Sequence, residues 1–255
     1  MKGIVYLVGA GPGAADLLTV RGARLLAEAN IVFYDALASP DVLALAPRAQ
    51  KVSVGKRCGA HSVSQRFINK RLVEAASRHK VVVRLKGGDP MLFARAQEEI
   101  DALTAAGVTV EVVPGVTAAL AAAAQVRTSL TRRGVARSVV LATPRAGEGE
   151  SRSRWVEAVR DADTAVLYMA AGDAREVRCM LLKAGVHADI PVAIAESVSL
   201  PQAKLAAGTL NELPRFADEW QGGPAVVLIG EVWRDVVVRQ ATAGQCRAPA
   251  ASQGA

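Results

Sequence analysis

Eight short apolar runs, spaced by longer amphipathic stretches, constrain this chain more than any other feature of its sequence. They are Ile4–Val8, Ile31–Tyr34, Val81–Leu85 and Val108–Val113 in the first half, and Val139–Thr143, Ala165–Met169, Pro191–Ala195 and Ala225–Ile229 in the second. Each has the length of a strand and is apolar along most of it, interrupted at Arg84, Thr109, Glu111 and Thr143, as a strand covered on both faces is. Between them, Leu18, Gly22, Leu25, Leu26 and Ala29 share one helical face, as do Ile68, Leu72, Val73 and Ala76, and Ile100, Leu103 and Ala106. Such alternation predicts an α/β fold with mainly parallel sheets flanked by helices. With 51% apolar residues, carried by Ala, Val and Leu rather than aromatics, a sizeable core is easily filled.

The punctuation Val113-Pro114-Gly115-Val116, followed by an Ala-rich helix over Thr117–Gln125, reads as a joint between two domains. It predicts an N-terminal α/β domain over 1–114 and a C-terminal one over 115–239. The Ala-, Gly- and Gln-rich residues 240–255 read as a disordered tail. The chain enters a strand almost at once, without a charged-then-apolar leader, and no apolar run is long enough for a membrane span. Cys58, Cys179 and Cys246 are scattered, and His61, His79 and His187 lack ligand spacing. These features predict a cytoplasmic protein with reduced thiols, no metal and no membrane partner.

The net charge of +7 is unevenly placed. Between Lys51 and Arg95 eleven Lys and Arg face only Glu74 and Asp89, and Arg127, Arg132, Arg133, Arg137 and Arg145 form a second basic stretch. Basic charge gathered this way suits a polyanionic partner or a solvated surface. The ten aromatics do not interleave with it, which disfavours nucleic acid.

The segment VYLVGAGPGAADLLT, residues 5–19, resembles a dinucleotide-binding turn. Pro12 has no N–H to offer a phosphate, however, and the helical pattern starts later, near Asp16 or Leu17, with Asp16 as a cap or first-turn acid. A carboxylate there would repel a pyrophosphate. Asp35, ending the second strand, fits the ribose acid of such a unit, and its context FYDALAS does not separate that reading from a fold without a dinucleotide.

Further motifs follow in order: VFYDALASP, VGKRCGAHSVSQ, VVRLKGGDP with LFARAQEE, VVPGVTAA, SLTRRG and YMA. Together they resemble the uroporphyrinogen III C-methyltransferase family, within the tetrapyrrole (precorrin) methylases, over about Val5–Val232. The resemblance implies a two-domain homodimer that binds S-adenosylmethionine in the cleft between its domains and releases S-adenosylhomocysteine. It also implies methylation of uroporphyrinogen III at carbons 2 and 7, giving precorrin-2 by way of precorrin-1, for siroheme and cobalamin.

Carried over by motif, the cofactor contacts are Pro12, Gly87, Gly88, Asp89, Leu92, Thr117, Ala118 and Met169, with Val198 where the family has a glycine. Asp35 falls on the proton acceptor and Lys56 on the proton donor. Arg95 and Glu98 fall on the substrate-binding and proton-removing pair. Arg57 and Arg132, and with them Arg66, Arg84 and Arg133, are candidates to bind the eight carboxylates of such a substrate. The chain departs from the family pattern at Phe93-Ala94-Arg95-Ala96 (for FGRG), Thr131-Arg132-Arg133-Gly134 (for THRG) and Ala142-Thr143-Pro144-Arg145 (for VTGH). Those changes leave open a related methylase with another substrate and a weakly active paralogue that carries cofactor or tetrapyrrole. The first loop keeps an NAD-type oxidoreductase open as well.

Overall fold

The computed structural model describes residues 2–55, 64–146 and 153–245, the last three of these by backbone alone. Among them the chain divides into two compact units, Met1–Ala121 and Ala122–Ala255.

The first unit runs β1 (Ile4–Gly9), α1 (Val20–Glu28), β2 (Ile31–Tyr34), α2 (Pro40–Ala44), β3 (Gln50–Ser53), α3 (Gln65–Arg78), β4 (Val81–Lys86), α4 (Ala96–Ala105) and β5 (Val110–Val113), leading into α5 (Ala118–Gln125). Its sheet has the order β3-β2-β4-β1-β5 and every pairing is parallel. Helices cover both faces. Leu26 of α1 and Val42 of α2 pack with Val8, Val32 and Val83 on one, while Leu72 of α3 and Leu103 of α4 pack with Leu7, Phe33 and Val82 on the other. Two covered faces explain why the runs are apolar along most of their length.

The second unit runs β6 (Val139–Ala142), α6 (Trp155–Asp161), β7 (Thr164–Tyr168), α7 (Ala174–Lys183), β8 (Pro191–Glu196), β9 (Lys204–Thr209), α8 (Leu213–Asp218), β10 (Ala225–Gly230) and α9 (Arg234–Gln245). Its sheet has the order β6-β7-β10-β8-β9. Here the expectation of a mainly parallel sheet is corrected: only β6–β7 is parallel, and β7–β10, β10–β8 and β8–β9 are antiparallel. The apolar runs record burial, and β10 is as buried beside antiparallel neighbours as it would be beside parallel ones. Trp155, Val159, Val177, Leu181, Leu213 and Phe216 bring α6, α7 and α8 onto one face.

Three further expectations change. β3 and β9 were not read as strands, because both are edge strands whose sequences, QKVS and KLAAGT, are not continuously apolar. The helix after the glycine loop starts at Val20 rather than near Asp16, which sits in a short 3-10 turn, Ala15–Leu17. Thr19 is its cap, accepting the Gly22 N–H at 3.1 Å. Residues 240–245, read as tail, continue α9; its Val236 is buried and its Arg239 donates to the Val126 carbonyl at 3.1 Å.

Candidate functional site

In a parallel sheet all strands end on one side, so the loops leaving β1, β2, β4 and β5 gather there. The register Gly9↔Lys86 puts the GAGPG and GGDP loops side by side. The two loops exchange backbone hydrogen bonds: Gly88 N–H to the Gly11 carbonyl at 2.8 Å, Gly11 N–H to the Gly88 carbonyl at 3.2 Å, and Ala10 N–H to the Lys86 carbonyl at 2.7 Å. This approach requires glycine. A Cβ on Gly9 would lie 2.6 Å from the Gly115 Cα and 2.8 Å from the Gly88 carbonyl oxygen.

Two aspartates fasten the remaining loops by one device. Asp35 Oδ1 accepts the Leu37 N–H two residues on at 3.0 Å, and its Oδ2 accepts the Gly87 N–H at 3.2 Å, tying the end of β2 to that of β4. Asp89 Oδ1 accepts the Met91 N–H at 2.7 Å, and its Oδ2 accepts the Gly115 N–H at 2.8 Å, tying β4 to β5. Each carboxylate thus spends two of about four acceptor positions on backbone N–H groups and keeps the others.

The cradle so formed is suited to a ligand with little negative charge. Residues 9–19, 35–39, 87–92 and 114–117 include Asp16, Asp35 and Asp89 but no Lys or Arg. Gly88 is at φ +64, and a Cβ there would meet only the Thr117 Cα, at 4.0 Å, so its outer side is open. A backbone that can be approached closely, flanked by carboxylates, fits the cationic, phosphate-free S-adenosylmethionine. It does not fit a pyrophosphate. Topology argues the same way: β4 lies between β1 and β2, whereas the dinucleotide fold keeps its first two strands adjacent.

The other expected residues fall as follows. Pro12, Leu92, Thr117 and Ala118 belong to these loops or to the first turn of α5 and are half-buried. Arg95, at φ +55 just before α4, grips Glu98 through two hydrogen bonds of 2.7 and 2.8 Å, which hold the Glu98 carboxyl below its usual range. In the second unit Met169 follows β7 and Val198 follows β8. Tyr168 and Ala195 both face Val226 of β10, so the two residues occupy the same end of that sheet. Met169 (φ +55) is exposed; Val198 is buried between Ser197 (φ +51) and Ser199 (φ +66). Three such residues at one sheet end are the kind of backbone that clusters at ligand sites. Arg132 pairs with Asp235 at 3.1 Å, both exposed. Arg66 and Arg133 are exposed. Lys56 and Arg57 lie outside the described residues.

Arg84 is corrected as a substrate candidate. It is 5% exposed, with Nε donating to Glu99 Oε1 at 3.1 Å. The same Glu99, fully buried, accepts from Lys86 Nζ at 2.9 Å and from Gln65 Nε2 at 3.0 Å. Burial, and then the neighbouring Arg84, lower the Lys86 ammonium below the usual lysine range, while Glu99 and Asp35 oppose the shift. Sequence reasoning passed over Lys86 and Glu99. The spacing held the clue, since Glu99 shares the buried face of α4 with Ala96 and Leu103.

Residues 4–214 match the sequence profile of the Tetrapyrrole (Corrin/Porphyrin) Methylases. A siroheme synthase from Zymomonas mobilis is 44% identical over 232 residues, 91% of this chain and 49% of the relative. One from Acinetobacter baylyi is 43% identical over 233 residues, 91% of this chain and 51% of the relative. The chain thus spans about half the length of the curated relatives it matches. Among solved structures, a uroporphyrin-III C-methyltransferase from Thermus thermophilus complexed with S-adenosylhomocysteine is similar at 39% identity and TM-score 0.80, over 91% of this chain and all of that one. A cobalt precorrin-4 methyltransferase is similar at 28% identity and TM-score 0.79, over 90% of this chain and 95% of that one.

Proposed function

This chain belongs to the tetrapyrrole (corrin/porphyrin) methylase family, and from that premise we propose that it methylates ring carbons of a tetrapyrrole using S-adenosylmethionine. The substrate we assign is uroporphyrinogen III, methylated at carbons 2 and 7 to give precorrin-2 by way of precorrin-1. The observation that carries this reading is the strand-end cradle, with its crowded glycines, its two stapled aspartates and, among the described residues of its loops 9–19, 35–39, 87–92 and 114–117, no Lys or Arg to attract a phosphate. The similarity to a uroporphyrin-III C-methyltransferase over nine-tenths of the chain supports the finer assignment.

The bound cofactor supplies an electrophilic methyl group on a sulfonium, so the protein's task is positioning, charge balance and proton removal. Gly88, Gly11 and Thr117 would present backbone to the cofactor, and Asp89 holds the GGDP loop against the end of β5. Leu92, Pro12 and Ala118 complete the contacts of the first unit; Met169 and Val198 are the contacts assigned in the second. Asp35, immobilised by the Gly87 and Leu37 amides, has acceptor positions left to take the proton that the ring loses as its positive charge is relieved. Lys56 is the matching donor. Arg95 and Arg132 sit in exposed ion pairs, which are individually weak, so substrate carboxylates can displace Glu98 and Asp235 from them.

Incubation with uroporphyrinogen III and methyl-labelled S-adenosylmethionine tests the assignment. Two labels per ring, at carbons 2 and 7, are expected. Label appearing only on another precorrin makes the protein a related methylase, and binding without transfer makes it a carrier. Light scattering tests the homodimer that accompanies this reading.

A further inference from the structure

One buried ionic cluster takes no part in the chemistry above. Lys86, 2% exposed, ends β4 and reaches Glu99 of α4 at 2.9 Å, while Arg84 and Gln65 of α3 bind the other Glu99 oxygen at 3.1 and 3.0 Å. Such a cluster is weak evidence of stabilisation, because apolar side chains of similar size commonly do as well in an interior. Val83 and Leu85 on the same strand are fully buried and apolar. Two cations against one carboxylate, with burial opposing the Lys86 charge, make this an expensive way to fill space.

The position of Lys86 is what sets it apart. Its carbonyl accepts the Ala10 N–H at 2.7 Å, which anchors the GAGPG loop. The next amide, Gly87 N–H, donates to Asp35 at 3.2 Å, which anchors the loop after β2. Gly88, one residue further, exchanges hydrogen bonds with Gly11. Three ligand loops therefore hang from one backbone junction, and the charged side chain at that junction, Lys86, reaches into the interior and is held by Glu99. The same grip closes the segment 87–98, the loop after β4 and the start of α4, which carries Gly87, Gly88, Asp89, Leu92, Arg95 and Glu98.

We propose that Lys86 is the positioning residue of the cradle: its ammonium, held by Glu99, fixes the junction that sets the cofactor loops and the Arg95–Glu98 segment in register. The ligand part of this inference rests on the methylase reading; the backbone part does not. Lys86→Met leaves Arg84 and Gln65 on Glu99, so no buried charge is stranded. Two measurements test it in the 255-residue chain: amide hydrogen exchange and calorimetric titration with S-adenosylhomocysteine.

The expected result is at least tenfold faster exchange at Ala10, Gly87 and Gly88, with β1 and β4 amides such as Val5 and Val82 unchanged. S-adenosylhomocysteine should bind at least tenfold more weakly. Lys86→Arg, which restores a cation to Glu99, should recover loop protection to within threefold. Unchanged loop exchange, or loss spread evenly over the sheet, overturns the proposal. If Lys86→Met fails to fold, Lys86→Gln carries the same comparison, with a loss of at least threefold expected at those three amides. A wild-type protein that does not bind S-adenosylhomocysteine defeats the methylase reading, while the exchange data still decide the role of Lys86.

Discussion

The two sheets of this protein have five strands each and equally dry centres, yet they are built differently. In the first, five parallel strands deliver four loops to one end, where glycines, Asp35 and Asp89 lock those loops together. In the second, three antiparallel pairings divide the strand ends between both sides: β6, β7 and β8 end on one, carrying Thr143, Met169 and Val198, and β9 and β10 end on the other. Parallel pairing concentrates loops, and with them sites. Backbone hydrogen bonds link the strand ends of the first unit, whereas in the second the backbone departs from ordinary conformations at Met169, Ser197 and Ser199.

The largest effect should come from Gly115→Ala. The new Cβ would lie 2.8 Å from the Gly9 Cα and closer still to the Gly88 carbonyl, and neither is a side chain that can turn aside. A loss of about 4 kcal/mol is expected, beyond the usual overpacking cost because the contacts are backbone, together with loss of S-adenosylhomocysteine binding. Wild-type stability in urea would break the claim that the first unit works by close backbone approach. Next comes Leu181→Ala, which empties part of the second core. It should cost about 3 kcal/mol and change cofactor affinity less than about threefold, a contrast that calorimetry on the folded fraction can read.

Asp89→Asn tests the staple. An amide can replace one acceptor but turns a donor toward the other N–H, so about 1–2 kcal/mol and roughly tenfold in affinity should be lost. Arg132→Ala removes an exposed pair with Asp235 and should alter stability by less than about 0.5 kcal/mol. A severalfold rise in KM for the tetrapyrrole, with kcat little changed, would place it at the substrate.

The smallest effect is conditional on pH. Asp163 accepts the Arg137 and Ser138 N–H groups at 2.8 and 2.9 Å, and these hold its carboxyl below the usual aspartate value. Its contribution is complete above the ordinary value of about 3.9 and is lost as pH falls through the lower folded value. Asp163→Asn should therefore have a lower urea midpoint than wild type at neutral pH and converge with it in strong acid. A difference that persists in acid would show that the charge is not what matters.

Much of this was legible in the sequence. All eight apolar runs became strands, within two residues at either end, because burial on both faces leaves a record in every residue. The GGDP and YD motifs were legible as turns next to strand ends. What stayed hidden was pairing: nothing in Ala225–Ile229 says which way its neighbours run, and edge strands β3 and β9 bury too little to be seen. Asp35 could be read as base or turn former. The structure shows the turn former directly, in bonds to Leu37 and Gly87, and leaves acceptor positions for the other role.

By itself, then, the sequence determined that this chain alternates strand and helix and that its first loop carries an acid and a proline but no basic residue, since periodicity and charge are local properties. Strand direction in the second sheet was decided only in three dimensions, as were the joining of four loops into one cradle and the burial of Arg84, Lys86 and Glu99. Those depend on contacts between residues far apart in the chain, whose partners no local pattern names.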